Sequence, residues 1–248
     1  MKKLFYITIV VLLFSCNSEN AGDCFQTAGN IIQQEIDLDA FDKILVNRDV
    51  ELIISQGENY RVIVETGSNL LNDIEVSVVG NELQLTDNND CNYFRNYGVT
   101  KIYVTTPVLK EIRSSTQFDI SSDGILSFDN LKLISEDFNY SESFTVGDFK
   151  LSVSTNTLSV VSNNISSFYF IGQTNNLIIR FPSGDGRFEG QDLIANHIDI
   201  FHRGSNDIIV HPIESLSGEL RGTGDLIMVN QPSIVSVEQY YTGQLILQ

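Results

Sequence analysis

A strand, a polar corner and a second strand recur in the second half of this 248-residue chain. Residues 170–177 read FIGQTNNL, residues 201–208 read FHRGSNDI and residues 220–226 read LRGTGDL. Glycine, asparagine and aspartate tolerate the positive φ angles that sharp corners require. Repeats of this kind favour coils stacked into a solenoid, in which each coil buries its apolar face against its neighbours.

The first half of the chain alternates apolar and polar residues with a period of two, for example through residues 41–54 and 74–78. Strict alternation over short runs is typical of half-buried strands. The pair Gly80-Asn81 separates two such runs, which predicts a hairpin with a two-residue turn. Residues 70–73 are expected to form one helical turn, and no segment keeps the 3.6-residue period of a long helix.

The predicted fold class is therefore all-β. Antiparallel strands over residues 37–112 are expected to lead into a β-solenoid body, similar to a parallel β-helix, over residues 113–248. The repeats are unevenly spaced, so a β-sandwich stays open as the alternative.

The N-terminus has the form of an export signal. Lys2 and Lys3 precede an apolar run at residues 4–14, which is too short to span a bilayer, since a spanning helix takes ~20 apolar residues. The segment Leu13-Phe14-Ser15-Cys16 resembles a bacterial lipobox, in which the cysteine after the cut is acylated. The alternative is an ordinary signal peptide with a cysteine near its cut.

These features predict two segments ahead of the folded body. Residues 1–15 form a signal peptide, Cys16 carries the lipid, and residues 16–36 are the lipidated N-terminus and tether. The polar run that follows Cys16 lacks the large side chains that bury a core. We therefore expect a lipoprotein of the Gram-negative cell envelope, placed in the outer membrane, with its surface or periplasmic side left open.

Charge excludes some partners. The chain has 15 Lys+Arg and 32 Asp+Glu, for a net charge of −17, and removal of Lys2 and Lys3 would leave −19. Nucleic acid is not an expected partner, because its binding depends on basic residues that neutralise phosphates. Anionic lipid headgroups are repelled as well, so the expected membrane contact is the N-terminal lipid itself.

Three cysteines occur in the chain. If Cys16 is acylated, Cys24 and Cys91 remain as an even pair in an oxidising compartment, where disulfides persist. A Cys24–Cys91 disulfide is therefore predicted.

Several blocks occur in an order that resembles a known bacterial family. They are FDKI at 41–44, ELIISQG at 51–57, GNEL at 80–83 and the late corners that contain GSND and GTGD. Together they resemble the bacterial head GIN domain, a family described as an auto-transporter adhesin head, over residues 37–232. The resemblance implies an envelope lipoprotein with an adhesive role and supplies no catalytic residues to carry over.

The histidines and one acidic loop are the candidate metal ligands of the chain. His197, His202 and His211 could share a metal with Asp199 and Asp207 if adjacent coils stack them, but their spacing matches no compact zinc motif. The run Thr86-Asp87-Asn88-Asn89-Asp90 offers oxygens that suit calcium, but it lacks the glycine and the terminal glutamate of an EF-hand. No metal or cofactor is predicted.

A polysaccharide-processing enzyme on a β-helix is the less favoured reading. Residue types for carboxylate-based glycoside chemistry are present at Asp185, Asp199, Asp207 and Asp225, with Arg187, Arg203 and Arg221 beside them. Each lies in or beside a Gly/Asn corner, where aspartate has a structural role. The short corners leave little chain to wall a cleft, so no enzyme is predicted.

Aromatic residues give the better indication of binding. Tyr93, Phe94, Arg95 and Tyr97 concentrate three rings and one guanidinium in a single loop, and Tyr and Arg are enriched at binding hot spots. The alternative is that the rings cover the end of the core beside Cys91.

The predicted function is thus a non-catalytic binding or adhesion module on a lipid anchor, with a protein or a neutral glycan as its partner. The alternative is a structural or sensory envelope protein that faces the periplasm.

Overall fold

The structure, a computed structural model, describes residues 23–89, 91–93, 95–96, 98–138 and 143–248. Two 3-10 helices lie at Asp23–Phe25 and Leu71–Asp73. The strands are β1 (Ile31–Ile36), β2 (Lys43–Val46), β3 (Glu51–Gln56), β4 (Arg61–Gly67), β5 (Ile74–Val79), β6 (Glu82–Asp87), β7 (Lys101–Thr106), β8 (Glu111–Ser114), β9 (Ile120–Leu126), β10 (Asn130–Ser135), β11 (Phe149–Ser162), β12 (Ser167–Phe181), β13 (Arg187–His202), β14 (Ile208–Leu220), β15 (Leu226–Met228), β16 (Ile234–Gln239) and β17 (Leu245–Leu247).

The all-β prediction is confirmed, and so are the hairpin and the helical turn. Strands β5 and β6 pair antiparallel around Gly80-Asn81, with Val79 opposite Glu82. The helical turn at Leu71–Asp73 precedes that hairpin. Within the described residues, no helix is long and apolar enough to cross a membrane.

Two stacked columns of parallel strands form the body. Column A contains, in order, β7, β3, β9, the first halves of β11 to β14, β15 and β17. Column B contains β6, β2, β8, β10, the second halves of β11 to β14, and β16. One turn of the chain through both columns is called a rung. The solenoid prediction is confirmed, and the β-sandwich is not favoured, because single long strands run through both columns.

The core lies between the columns because inward and outward positions alternate along each strand. Phe149 pairs with Phe168, Phe168 with Phe188, and Phe188 with Ile208, so partners lie 19 or 20 residues apart. All four side chains are fully buried. The rings of Phe149 and Phe168 stack with centroids 5.0 Å apart, which gives the body a column of interior rings.

Each long strand bends where it passes from column A to column B. Asn156, Asn175 and Asn196 occupy this bend on successive rungs. The Asn175 amide donates to Asn156 Oδ1 (3.4 Å), and the Asn196 amide donates to Asn175 Oδ1 (3.0 Å). The asparagine side chains thus form a ladder of hydrogen bonds at the bend, where the backbone pairing between strands is interrupted.

The three quoted repeats are not equivalent in the structure. Residues 170–177 contain the bend inside β12, whereas residues 201–208 and 220–226 contain the turns between β13, β14 and β15. The turns need glycine because successive backbones nearly touch: a Cβ on Gly222 would lie 2.1 Å from the carbonyl oxygen of Gly204. Glycine and asparagine therefore mark two different kinds of corner.

The first half of the chain is mixed rather than simply antiparallel. The antiparallel expectation holds for β1 with β4, β4 with β7, and β5 with β6. Strands β2 and β3, however, pair parallel with both of their neighbours, and they lie between β6/β7 and β8/β9. The parallel stack therefore begins before residue 113.

The expected tether over 16–36 is also shorter than predicted. From Asp23 onward it is folded, since β1 pairs with β4 along Ile31–Ile36. The predicted disulfide is present between Cys24 and Cys91. This strand was not predicted from the sequence because its composition is polar. β1 lies at the edge of the sheet, and most of its side chains face solvent. Residues 1–22, including Cys16, lie outside the described residues.

Candidate functional site

The aromatic loop lies at the N-terminal end of the solenoid, where the disulfide holds it. Tyr93 donates its backbone N–H to the carbonyl of Cys24 (3.1 Å), and its ring meets Phe25 edge-on at 5.7 Å. Tyr93 is 69% exposed and Phe25 is 54% exposed. Tyr93 is therefore a surface ring and does not cover the core.

Of the other three loop residues, the structure describes only Arg95, whose hydrogen bonds to described residues stay within the loop. The guanidinium of Arg95 donates to the carbonyl of Asn89 (3.0 Å), and the Arg95 backbone N–H donates to Asn92 Oδ1 (2.8 Å). Phe94 and Tyr97 lie outside the described residues. Arg95 thus serves the loop's own conformation, and Tyr93 is the ring that the structure presents to solvent.

The carboxylate suggested for calcium is already occupied. Asp87 is buried and accepts the Asn89 backbone N–H (2.9 Å) and side-chain amide (2.7 Å) on one oxygen. Its other oxygen accepts the Thr100 hydroxyl (2.6 Å). These contacts show Asp87 joining the end of β6 to the residue before β7. Asp90 lies outside the described residues.

The three histidines do not converge. His202 points into the core and is fully buried, whereas His197 Nδ1 lies 3.0 Å from Ser215 Oγ and His211 Nδ1 lies 3.0 Å from the Gln191 carbonyl, both on the outside. Among the described residues, no group of three His, Cys, Asp or Glu side chains could hold a metal ion.

The corner aspartates weighed for glycoside chemistry bond the turns together. Asp207 accepts the Asp225 backbone N–H (3.0 Å), Asp225 accepts the Gln244 backbone N–H (2.8 Å), and Asp185 accepts the Ser205 hydroxyl (2.8 Å). Asp199 pairs with Arg180. Each carboxylate therefore has a partner one rung away or beside it, as expected of aspartates that satisfy turn donors.

The structure brings together a different set of side chains on the outer face of column B. Arg180, Phe201, Glu219 and Glu238 align across four rungs, because each is the register partner of the next. Two residues further along each strand, the chain again points outward. Those positions on the last three rungs are Arg203, Arg221 and Tyr240.

The turn backbones hold this second row in place. The backbone N–H of Arg203 donates to Phe181, that of Arg221 to His202 and that of Tyr240 to Leu220, with N–O distances of 2.7–2.8 Å. Tyr241 follows directly. We call the side chains of Phe201, Arg203, Arg221, Tyr240 and Tyr241 the C-terminal patch.

Cation–π and ion-pair contacts organise part of the patch. The Arg221 guanidinium carbon lies 4.0 Å from the centroid of the Tyr240 ring, within the range of a cation–π contact. Arg221 also pairs with Glu219, and that hydrogen bond raises the pKa of Arg221 further above its usual value. Tyr240 donates its hydroxyl to Glu238, which raises the pKa of the phenol and keeps it neutral.

Two open hollows adjoin at the patch. One, of about 570 Å³, is lined by all five patch residues and Glu219. The other, of about 320 Å³, is lined by Arg203, Arg221 and Tyr241 with the turn residues around Ser205 and Thr223. Their volumes lie in the range of small-ligand sites, which is about 300–1,000 Å³. The hollows are shallow, so they suit surface recognition.

Sequence reasoning found part of this patch for a different reason. Arg203 and Arg221 were singled out as partners of corner aspartates, and the tyrosines at 240 and 241 were missed. The signal that could have found them is the register: Arg203 and Arg221 each follow the buried last residue of a column B strand, and Tyr240 follows Gln239, the register partner of Leu220. Uneven rung lengths conceal that equivalence along the chain.

The fold is an all-β solenoid whose C-terminal rungs expose the aromatic and arginine side chains of the patch. The family model described as "Putative auto-transporter adhesin, head GIN domain" matches residues 40–232. The chain belongs to this family, which confirms the resemblance noted from the sequence blocks. A comparison with curated proteins finds no significant match.

Solved structures share the fold. A putative adhesin from Bacteroides fragilis superposes with a TM-score of 0.77 at 21% identity, covering 90% of this chain and 99% of that one. A putative lipid binding protein from Parabacteroides distasonis gives 0.59 at 18% identity, with coverages of 89% and 98%. A putative adhesin from Parabacteroides merdae gives 0.58 at 16% identity, with the same coverages.

Proposed function

We propose that the chain is a non-catalytic adhesion module, anchored at the bacterial envelope, that captures a glycan through its C-terminal patch. The carrying observation is the patch itself: exposed tyrosine and arginine side chains on rigid, hydrogen-bonded rungs. Tyr and Arg are enriched at binding hot spots. Membership in a family described as adhesin heads supports an adhesive role.

The catalytic alternative has less support. Every corner carboxylate named for glycoside chemistry is engaged in bonding a turn or in an ion pair. The hollows are open and shallow, whereas substrate sites bury most of their ligand. The geometry therefore favours binding without turnover. A glycan cleavage that is abolished by Asp199→Asn or Asp207→Asn, in variants that still fold, would overturn this part of the proposal.

Binding is tested with the mature chain on a glycan array, run with and without calcium. We expect capture of at least one glycan class, with a loss of tenfold or more in the double variant Tyr240→Ala/Tyr241→Ala. Tyr169→Ala is the matched control, because Tyr169 is an exposed tyrosine of column A outside the patch. Equal losses in the patch variant and the control, or no glycan capture at all, would refute the proposal.

The anchor is tested separately in the native host. Cys16→Ala should leave an uncleaved or soluble species that no longer partitions with membranes, because the lipid would be the membrane contact. Mass spectrometry of the wild-type N-terminal peptide should find diacylglycerol on Cys16. Unchanged membrane partition with no lipid on the chain would remove the anchor from the proposal.

The side of the membrane is tested by protease shaving of intact cells. An adhesion module on the surface is removed, whereas a structural or sensory protein that faces the periplasm is spared. Protection in intact cells combined with cleavage after permeabilisation would favour the periplasmic alternative.

A further inference from the structure

We propose that the glycan held by the C-terminal patch carries a carboxylate, with Arg203 as its anchoring cation and Tyr240 and Tyr241 as the contacts for its sugar rings. This inference rests on the proposed function and names the ligand class of the same site. It is drawn from the pairing of the arginines, the arrangement of the rings and the size of the hollows.

Arg203 differs from its neighbours in having no acidic partner. Arg180 pairs with Asp199, and Arg221 pairs with Glu219. Within the part of the chain that the structure describes, the Arg203 side chain makes no ion pair and no hydrogen bond, although acids outnumber bases by 32 to 15. An exposed guanidinium left unpaired on so acidic a chain is available to an external anion.

The neighbouring rung strengthens this reading. The Arg221 backbone N–H donates to the carbonyl of His202 (2.7 Å), which places Arg221 beside Arg203 on the next rung. Neighbouring strands lie about 4.8 Å apart, and like charges placed side by side on a sheet repel each other. A carboxylate that met Arg203 would relieve this repulsion, and guanidinium groups bind carboxylates in a bidentate manner.

The rings and hollows favour a saccharide over an acidic peptide. Tyr241 lines both hollows and Tyr240 lines the larger one, so tyrosine side chains lie beside the arginines along the patch. The hydroxyl-bearing residues Ser205 and Thr223 border the second hollow. At the core of a protein–protein interface charged residues are depleted, whereas Glu219 and Glu238 flank these rings.

The acidity of the whole chain does not forbid such a ligand if the ligand is short. Screening limits the reach of surface charge to about 8 Å at physiological ionic strength. A short acidic oligosaccharide in the hollows would then meet mainly Arg203 and Arg221, together with Glu219 and Glu238, which already pair with Arg221 and Tyr240. A long anionic polymer would also meet the acidic surface beyond the patch.

The experiment compares a uronic-acid trisaccharide with its neutral counterpart, the same trisaccharide with each carboxylate reduced to a hydroxymethyl group. Binding to the mature chain is measured by calorimetry. We expect the uronate to bind at least tenfold more tightly than the neutral sugar, and Arg203→Ala to bring the ratio of the two affinities to within about twofold. Tyr241→Ala should weaken both ligands.

Arg61→Ala is the matched control, because Arg61 is an exposed arginine at the other end of the solenoid, paired with Glu35. It should leave both affinities unchanged, and circular dichroism should show every variant folded. Equal affinity for uronate and neutral sugar, or an Arg203→Ala variant that keeps the preference, would overturn the inference and leave the glycan-binding proposal standing. An acidic peptide is measured as the third ligand. Its binding in preference to both sugars would overturn the saccharide assignment, and no binding of any of the three ligands would overturn both proposals.

Discussion

The two ends of the solenoid are built differently. At the N-terminal end the parallel stack continues into antiparallel strands, with β4 on β7, β1 on β4 and β5 on β6, and the Cys24–Cys91 disulfide ties the entry of the chain to the same end. At the C-terminal end the described chain finishes in β16 and β17, whose outer edges pair with no described strand. The N-terminal end is thus covered by antiparallel strands and a disulfide, whereas the C-terminal end exposes the side chains of its last rungs.

The N-terminal end stabilises the fold, whereas the proposed binding patch lies at the C-terminal end. A solenoid rung contacts only its neighbours, so end rungs depend on what covers them. Added strands and a disulfide stabilise the N-terminal end, where β1 pairs with the edge of β4 and Val62 and Val64 of β4 are buried in the core. The C-terminal rungs expose Tyr240 and Tyr241 beside the arginines. We therefore expect changes at the first end to act mainly on folding, and changes in the patch to act mainly on binding.

The largest effect is expected from removal of the disulfide. The double variant Cys24→Ser/Cys91→Ser opens a loop with a sequence separation of 67 residues. By the loop-entropy model this lowers the free energy of unfolding by up to about 4 kcal/mol. Urea denaturation of wild type and variant measures the loss. An unchanged transition midpoint would show that the N-terminal end is stable without its covalent tie.

A close backbone contact between C-terminal rungs should give the next largest effect. A Cβ on Gly224 would lie 2.0 Å from the carbonyl oxygen of Asn206. Gly224→Ala should therefore force the turn apart and lower stability by about 1–3 kcal/mol, the usual range for overpacking. Thr223→Ala, at the exposed neighbouring position, is the control and should change stability by less than about 0.5 kcal/mol. Equal melting temperatures for the two variants would contradict the close contact.

His202 should make the C-terminal rungs sensitive to acid. Its burial lowers its pKa below the ordinary value, and the carbonyl of Asn206 with the carboxylates of Asp207 and Asp225 opposes this only in part. The unfolded chain takes up the proton first, so stability falls as the pH drops below about 6.5, by at most roughly 1.4 kcal/mol per pH unit.

The control for this effect is His202→Leu, which keeps the position apolar beside Phe181 and Leu220. Thermal melts at pH 7.5 and pH 5.5 should show a smaller shift in the variant than in the wild type. An identical shift in both proteins would mean that other groups carry the acid sensitivity.

The smallest effect on stability is expected from substitution of the exposed tyrosines. The two ends of the solenoid should then differ in their effect on glycan capture. Tyr93→Ala and Tyr241→Ala remove rings that are 69% and 65% exposed, so each should change the unfolding free energy by no more than about 0.5 kcal/mol. Only Tyr241→Ala should reduce glycan capture. A loss of capture in Tyr93→Ala instead would move the binding site to the N-terminal loop, as the sequence first suggested.

The local features of this protein could be predicted from the sequence because they depend on residues that are neighbours in the chain. The hairpin at Gly80-Asn81 follows from a turn preference, and the disulfide was predicted from the count of cysteines together with an N-terminus that resembles an export signal. The extent of the tether was misjudged because β1 is a polar edge strand. The loop at Tyr93 was identified from its aromatic residues, but composition does not show whether the Tyr93 ring is exposed or covers the core.

The sequence by itself determined the all-β class, the hairpin turn and the family, since period-two alternation and turn chemistry are local. Only the tertiary structure decided that β2 and β3 lie between later rungs, and that Arg203, Arg221 and Tyr240 form one row. Parallel pairing joins residues about 20 positions apart and tolerates bulges that shift the register. Which side chains meet on the surface therefore depends on how rungs of unequal length stack around a shared core.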